Sequence, residues 1–440
     1  MNGQITDFTL ENVRCFKGEQ TLRIRPITLL VGENSTGKST VLGCYNALVR
    51  SFSEKRSVNF NEVVCQMSAP GDVVRTGEKG FTLGVKYGGN GNSIHCQCEF
   101  AATDGVEPSI SKVIYAFYSN GSVGGSMTCI PSSSKSSRQE SFQVKKDGNQ
   151  NNFIVKMKLK DLHPFKVVAD MPLFLKHAES EDAKALLNFL NNFSKEFLEK
   201  ERASVQDMMK LERIINTAPS RSKPRRKYDS ANTEMTLERD GIPVYLMQLK
   251  RAKDAKWNSL RKSLIKFGAS SGMFKDIDVK TSGEATGDSF QIKVKTNGSG
   301  ANIMDVGYGV SQLLPILVRM MAQKNLSPDS RFLLQQPESH LHPRVQAELA
   351  SLLVKFADNG KGLNYLIETH SDYIVDRVAV EIRRGNISPD NVSLVSHEFK
   401  NGSVQIHNIG FDKQGNRTDV PKGYRGFFMR ETDRVLGLEK

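Results

Sequence analysis

No apolar run in the 440-residue chain is long enough to cross a bilayer, and the mean hydropathy is negative, which excludes a helical membrane span. The first residues, MNGQITDFTLENVRCF, alternate polar and apolar side chains and lack the basic and apolar regions of an export signal. A cytoplasmic protein without a membrane partner is the expectation. Cysteine is sparse: Cys15, Cys44, Cys65, Cys96, Cys98 and Cys129 are scattered, and the one close pair, Cys96 and Cys98, has neither the spacing nor the second pair of a zinc site. Reduced, mostly buried thiols are expected. Internal repeats are absent, and residues 160–280 are too short and too interrupted by Pro and Gly for a long coiled coil. Acidic residues are in deficit, 48 against 61 Lys and Arg, leaving a net charge of +13. That balance favours a polyanionic partner, DNA or RNA, without choosing between them.

The length exceeds what one hydrophobic core usually organises, so two lobes or a core with a large insertion are expected. Ile5–Phe16 and Gln20–Val31 read as strands, the second ending in the apolar run Ile27–Val31, and Ser39–Phe52 has helical periodicity. From Asn61 to Lys158 short alternating runs separated by Gly, Asn and Ser predict an antiparallel β layer. Ser132–Ser137 reads as a low-complexity loop. Ser180–Phe267 turns helical and basic. Inside it, Pro219–Tyr228 (PSRSKPRRKY) places five basic residues around two prolines, which excludes a regular helix and predicts an exposed basic loop. Strands and helices alternate after Ser289, through Phe332–Leu334, Arg344–Ala357, Leu363–Glu368 and Tyr373–Arg384, as in a wound sheet, and the chain ends in a Gly-rich tail. The division that follows is an N-terminal lobe at 1–160, a helical basic insertion at 161–282 and a C-terminal lobe at 283–440.

Chemistry concentrates first at Gly32-Glu33-Asn34-Ser35-Thr36-Gly37-Lys38-Ser39-Thr40, which satisfies the G-x-x-x-x-G-K-[ST] pattern between a strand and a helix. Gly32 and Gly37 free the backbone to wrap its N–H groups around phosphate, with Asn34, Ser35, Thr36 and Thr40 in the same cradle. The helix N-terminus adds positive potential there. Lys38 is expected on the β and γ phosphates of ATP and the Ser39 hydroxyl on Mg²⁺.

In the second half, Val306-Gly307-Tyr308-Gly309-Val310-Ser311-Gln312 opens an apolar helix. Phe332-Leu333-Leu334-Gln335-Gln336-Pro337-Glu338-Ser339-His340-Leu341-His342-Pro343 and Leu366-Ile367-Glu368-Thr369-His370-Ser371-Asp372 follow. With the phosphate loop, these segments make the chain resemble the OLD family and its AAA-15 and AAA-21 relatives within the SMC and ABC superfamily. The resemblance is good over roughly residues 1–50 and 300–380. It implies an α/β fold, an ABC/SMC-type P-loop ATPase head with an antiparallel β layer and a helical insertion. It also implies ATP and Mg²⁺ as cofactors and an ATP-sandwiching homo-oligomer, at least a dimer. In that assembly Ser311 acts on the neighbour's nucleotide and His370 is the γ-phosphate switch residue, while Asn12–Phe16 lies where relatives contact the base or ribose.

The sequence departs from its relatives at Gln335 and Gln336, where they carry a Mg²⁺-binding acid and often a second, catalytic one. A glutamine can touch Mg²⁺ or orient water, so Gln335 stays a candidate metal ligand and Gln336 a candidate catalytic residue, but neither accepts a proton. Glu338 is the nearest remaining carboxylate and the candidate general base, and a slow ATPase is expected. His340-x-His342 and Glu368-x-His370 are poorly spaced for zinc, and no metal other than Mg²⁺ is expected. OLD nucleases append a Toprim domain, for which the roughly 70 residues after His370 are too few. The resemblance is strongest to stand-alone ATPase subunits of Septu-, retron- and PARIS-type anti-phage defence systems, which implies a separate nuclease or effector subunit. Two other readings stay open: a DNA-repair or SMC-like clamp on DNA, and an ATP-sensing scaffold that does not hydrolyse.

Overall fold

The computed structural model describes residues 4–156 except 55–57, 63–64, 68–69, 90–91, 102–107, 120–121, 131–138 and 147–148. It further describes 213–217, 224–229 and 241–438 except 283–287, 297, 299 and 324–329, with the isolated Lys184 and Asn188. Two compact units result. The first comprises Met1–Ile214, Val392–Phe411 and Arg417–Lys440, the second Ile215–Asn391 and Asp412–Asn416.

The first unit opens with β1 (Gln4–Glu11), β2 (Glu19–Arg23) and β3 (Ile27–Gly32), followed by helix α1 (Lys38–Ser53) and the short pair β4 (Asn61–Glu62) and β5 (Cys65–Gln66). Six long strands come next: β6 (Gly80–Gly89), β7 (Asn92–Ala101), β8 (Ser109–Ser119), β9 (Ser122–Ile130), β10 (Gln139–Lys146) and β11 (Asn149–Lys156). They form the expected antiparallel layer, an eight-stranded sheet in the order β11-β10-β9-β8-β7-β6-β1-β2. Its period-two pattern buries Phe81, Leu83, Val85 and Tyr87 on β6 and Ile94, Cys96, Cys98 and Phe100 on β7. Phe81 and Phe100 are register partners whose rings stack at 4.7 Å. Cys96 and Cys98 therefore occupy alternate core positions, which explains their spacing without a metal.

Two expectations need correction. The strand starting at Ile5 ends at Glu11, because Asn12 and Arg14 take left-handed φ of 57° and 45° and turn the chain. The run Gln20–Val31 is two strands, broken where Arg25 precedes Pro26 and its amide turns to the Thr28 hydroxyl. The Gly-rich tail carries a helix, Gly426–Val435. Also in this unit, β18 (Val392–Lys400) runs parallel to β3, with β19 (Ser403–Phe411) and β20 (Arg417–Thr418) added antiparallel.

The second unit contains β16 (Ser330–Gln335) and β17 (Asn364–Glu368), parallel and fully buried, with the Ile215–Thr217 end of β12 (Arg213–Thr217) beside β16. Helices Tyr308–Gln323, Pro343–Ala357 and Asp372–Arg383 alternate with these strands. A three-stranded sheet of β13 (Asp276–Thr281), β14 (Phe290–Lys295) and β15 (Ala301–Asn302) stands beside helices Gly241–Arg251 and Ala255–Ser271. Of the helical region, residues 180–240 lie almost wholly outside the described residues, as do Ser132–Ser137 and the first half of the basic loop. Pro224–Asp229 is described: Tyr228 exchanges backbone hydrogen bonds with Phe290 and stacks on its ring at 5.5 Å. Arg226 forks onto Asp305 at 3.0 and 2.6 Å.

Candidate functional site

In the first unit, buried β3 ends at Gly32, and the chain turns through positive φ at Gly32 (143°), Ser35 (62°) and Gly37 (78°). Only the two glycines take such angles without strain. Gly37 caps α1 without a side-chain cap bond, so the N-cap residue takes up none of the first-turn amides that phosphate would use. Lys38 is buried within the loop, its Nζ donating to the carbonyls of Gly32 at 3.0 Å and Glu33 at 2.5 Å and to Thr36 Oγ1 at 3.4 Å. Thr36 in turn donates to Glu33 at 2.8 Å. Asn34, Ser35 and Ser39 are exposed at the mouth. Thr40 is buried and turned away, accepting from Arg14 Nη1 at 3.4 Å.

Beneath the loop lies a floor that sequence reasoning missed. A Cβ on Gly32 would stand 2.5 Å from the carbonyl oxygen of His397, and one on Gly37 would stand 2.6 Å from Cys15 Sγ and from the Phe16 ring. Both glycines are thus required by close approach as well as by φ. Phe16 meets the His397 ring edge-on at 6.1 Å. His397 is 3% exposed and its Nδ1 donates to the Val31 carbonyl at 3.3 Å. Burial first, and then the Lys38 charge, push its pKa down to about 4, so the ring is neutral at physiological pH and adds no repulsion against the Lys38 ammonium. Its register pairing with Gly32 across parallel strands links residues 365 apart, and no sequence pattern announces that.

In the second unit, β16 ends at buried Gln335, and the chain leaves through left-handed Gln336 (φ 41°) and His340 (φ 64°). Gln336 donates its amide to the Glu368 carbonyl at 2.9 Å, and its side chain is half-buried. Glu338 is 9% exposed, and its Oε1 accepts from the His370 amide at 2.7 Å. Among the described residues Oε2 has no hydrogen-bond partner. Burial raises the carboxyl above the usual range, against the His370 and Glu338 amides and the Thr369 hydroxyl, with Glu368 adding a smaller push upward. One oxygen is pinned, the other is open, and the pKa is lifted: this suits a general base. The site thereby joins Glu338 to His370, whose backbone is fixed while its side chain is exposed. Ser371 caps the following helix through the Ile374 amide at 3.1 Å.

Ser311 sits in the first turn of helix Tyr308–Gln323, its hydroxyl donating to the Tyr308 carbonyl at 2.8 Å, and Pro315 follows within the same helix. Beside it a cleft of about 400 Å³ is lined by Gly307, Gly309, His340, His342 and Arg344 among others. Tyr308 packs edge-on against His340 at 4.9 Å. Mg²⁺ prefers one or two carboxylates with phosphate and water oxygens. In the first unit the exposed Ser39 hydroxyl beside the phosphate loop is a donor of the kind it takes, and in the second unit Gln335, Glu338 and Glu368 are buried. Among the described residues no group of three or more His, Cys, Asp or Glu side chains is arranged to hold a metal. No helix among them is long and apolar enough to cross a membrane.

A strand, a glycine loop with a buried lysine and a helix, set in an α/β fold with an antiparallel layer, define a P-loop nucleotide-binding protein, the expected fold class. The family model of the AAA ATPase domain, AAA_15, matches residues 4–375, and the chain belongs to that family. It is an ATPase by family, with nucleotide as the ligand the family implies. No curated protein matches the chain. Solved structures with a similar trace include the Smc head domain with a coiled coil and joint from Pyrococcus yayanosii (10% identity, 94% of this chain and 98% of that one, TM-score 0.41). Others are the Smc head with an extended coiled coil bound to the C-terminal domain of ScpA from Pyrococcus furiosus (11% identity, 98% and 100%, TM-score 0.40) and the SMC head domain from Thermotoga maritima (12% identity, 92% and 98%, TM-score 0.34).

Proposed function

We propose that this chain is the ATP-hydrolysing subunit of an anti-phage defence complex, forming ATP-sandwich dimers that control a separate nuclease or effector acting on nucleic acid. Lys38 and the loop amides of Gly32–Thr40 hold the phosphates, with Ser39 and Gln335 toward Mg²⁺. The bound ion would offset phosphate charge. Glu338 accepts the proton of the attacking water at Oε2, and His370, placed by the amide that Glu338 holds, senses the γ-phosphate. Ser311 closes the nucleotide site of a second copy. The pinned Glu338–His370 pair carries this reading, because a buried carboxylate with one open oxygen is a costly arrangement unless it does chemistry. A scaffold that senses ATP without turnover is the second reading, favoured by neutral Gln335 and Gln336. Turnover by the purified chain decides between them: steady ATP hydrolysis that Glu338→Gln abolishes supports the first, and no hydrolysis in the wild type supports the second. Co-purification with the product of a neighbouring reading frame tests the effector.

A further inference from the structure

β18 and β19 are joined by Asn401 and Gly402, whose φ of 52° and 77° make the two-residue turn that Asn-Gly favours, so the end of this hairpin is short and rigid. On β18 the His397 ring lies toward Phe16 and feels the Lys38 charge, which marks that face of the strand as the phosphate-loop side. Side chains two residues apart on a strand leave from one face, so Phe399 projects on the loop side as well. Glu398, between them, projects oppositely and meets His407 at 3.0 Å. His397 is 3% exposed and Phe399 63%, so this row of side chains emerges from beneath the loop at Phe399.

The hairpin end is tied to the loop's own supports. Val404, the register partner of Phe399, is buried and donates its amide to the Cys15 carbonyl at 2.9 Å. Cys15 Sγ is the atom that a Cβ on Gly37, the cap of α1, would meet at 2.6 Å. Arg75 fastens the turn itself, donating from Nη2 to the Gly402 carbonyl at 3.0 Å and from Nη1 to the Arg14 carbonyl at 3.2 Å. All these residues belong to the first unit, and Phe399 lies past residue 375, where the family match ends. A single exposed aromatic is ordinary on a protein surface. One held on a rigid hairpin beside a phosphate loop offers a flat apolar face to the base of the nucleotide that the loop holds.

We propose that Phe399 is the stacking platform for the purine base of the bound nucleotide, placed by the same strand that floors the phosphate loop. The inference rests on the nucleotide reading above and adds where the base of that nucleotide lies.

The test compares ATP with inorganic tripolyphosphate, which carries the phosphates without a base, on the full chain by calorimetry. Phe399→Ala is expected to weaken ATP by about tenfold and to leave tripolyphosphate affinity and the melting temperature as in the wild type. Phe399→Trp should keep ATP within about threefold of the wild type. The emission it adds to that of Trp257, the one native tryptophan, should change with ATP and not with tripolyphosphate. Unchanged ATP affinity in Phe399→Ala, or ATP and tripolyphosphate weakened alike, overturns the assignment and leaves the phosphate-loop reading standing. A change of oligomeric state in Phe399→Ala with ATP affinity held overturns it too, and makes the ring a contact between protein surfaces. A wild type that binds neither ligand overturns both readings.

Discussion

Two strand-to-helix turns carry the chemistry, and they are built on opposite plans. The turn from β3 into α1 relies on glycines: its left-handed positions include Gly32 and Gly37, its N-cap makes no side-chain bond, and the backbone is what it offers an anion. The turn from β16 into helix Pro343–Ala357 uses left-handed Gln336 and His340, residues with side chains, and presents Glu338, His340 and His342 instead of bare amides. The first suits gripping an anion of fixed shape; the second suits placing a base. A loop that binds can be specified by what it omits, whereas a loop that reacts must be specified by what it projects.

That contrast can be broken at its reactive end first. Glu338→Gln keeps the acceptor for the His370 amide but removes the proton acceptor, and turnover measured by phosphate release should fall by about a hundredfold to ten-thousandfold while ATP binding holds. A fall below about tenfold would remove Glu338 from the base role. At the binding end, Lys38→Ala should weaken ATP by about a hundredfold in calorimetry, the worth of charge-assisted bonds to phosphate. The floor sharpens the picture further: His397→Phe keeps the ring but drops the bond to Val31, and ATP affinity should fall about tenfold with thermal stability little changed.

The same histidine sets a pH signature. Its folded pKa of about 4 lies below the ordinary 6.5, so the unfolded chain takes up a proton that the native one refuses. Its contribution is fully present above pH 6.5 and is lost as the pH falls from 6.5 toward 4, by about 3 kcal/mol in total. Denaturant titrations across that range should show His397→Phe lacking this share of the slope. The smallest effect belongs to the exposed Arg226–Asp305 pair. If segment 224–229 meets nucleic acid, Arg226→Gln should weaken oligonucleotide binding about threefold and lower the salt slope by about one, read by anisotropy across salt concentrations.

The phosphate loop was legible because each of its positions is dictated by chemistry that a pattern can spell. The wound alternation from Phe332 to Arg384 was equally plain, since long apolar strands and amphipathic helices differ in period. The floor was not, because Phe16 and His397 meet only through strand pairing. Glu368 was visible, yet its spacing from His370 invited a comparison with zinc, and only the β16–β17 register sets it beside Gln335. In the Gly-rich tail, Gly426 opens the helix Gly426–Val435 and Gly437 follows it.

Pro315 offers no N–H, so the carbonyl of Ser311 is deprived of the donor that a continuous helix would give it four residues on. The opening turn, Tyr308–Ser311, is consequently joined to the buried remainder by a weakened seam. In the proposed dimer a pull on Ser311 would swivel that turn while Leu313, Leu314 and Leu317, buried in the same helix, keep their packing. Such a shift would leave the rest of the helix where it packs.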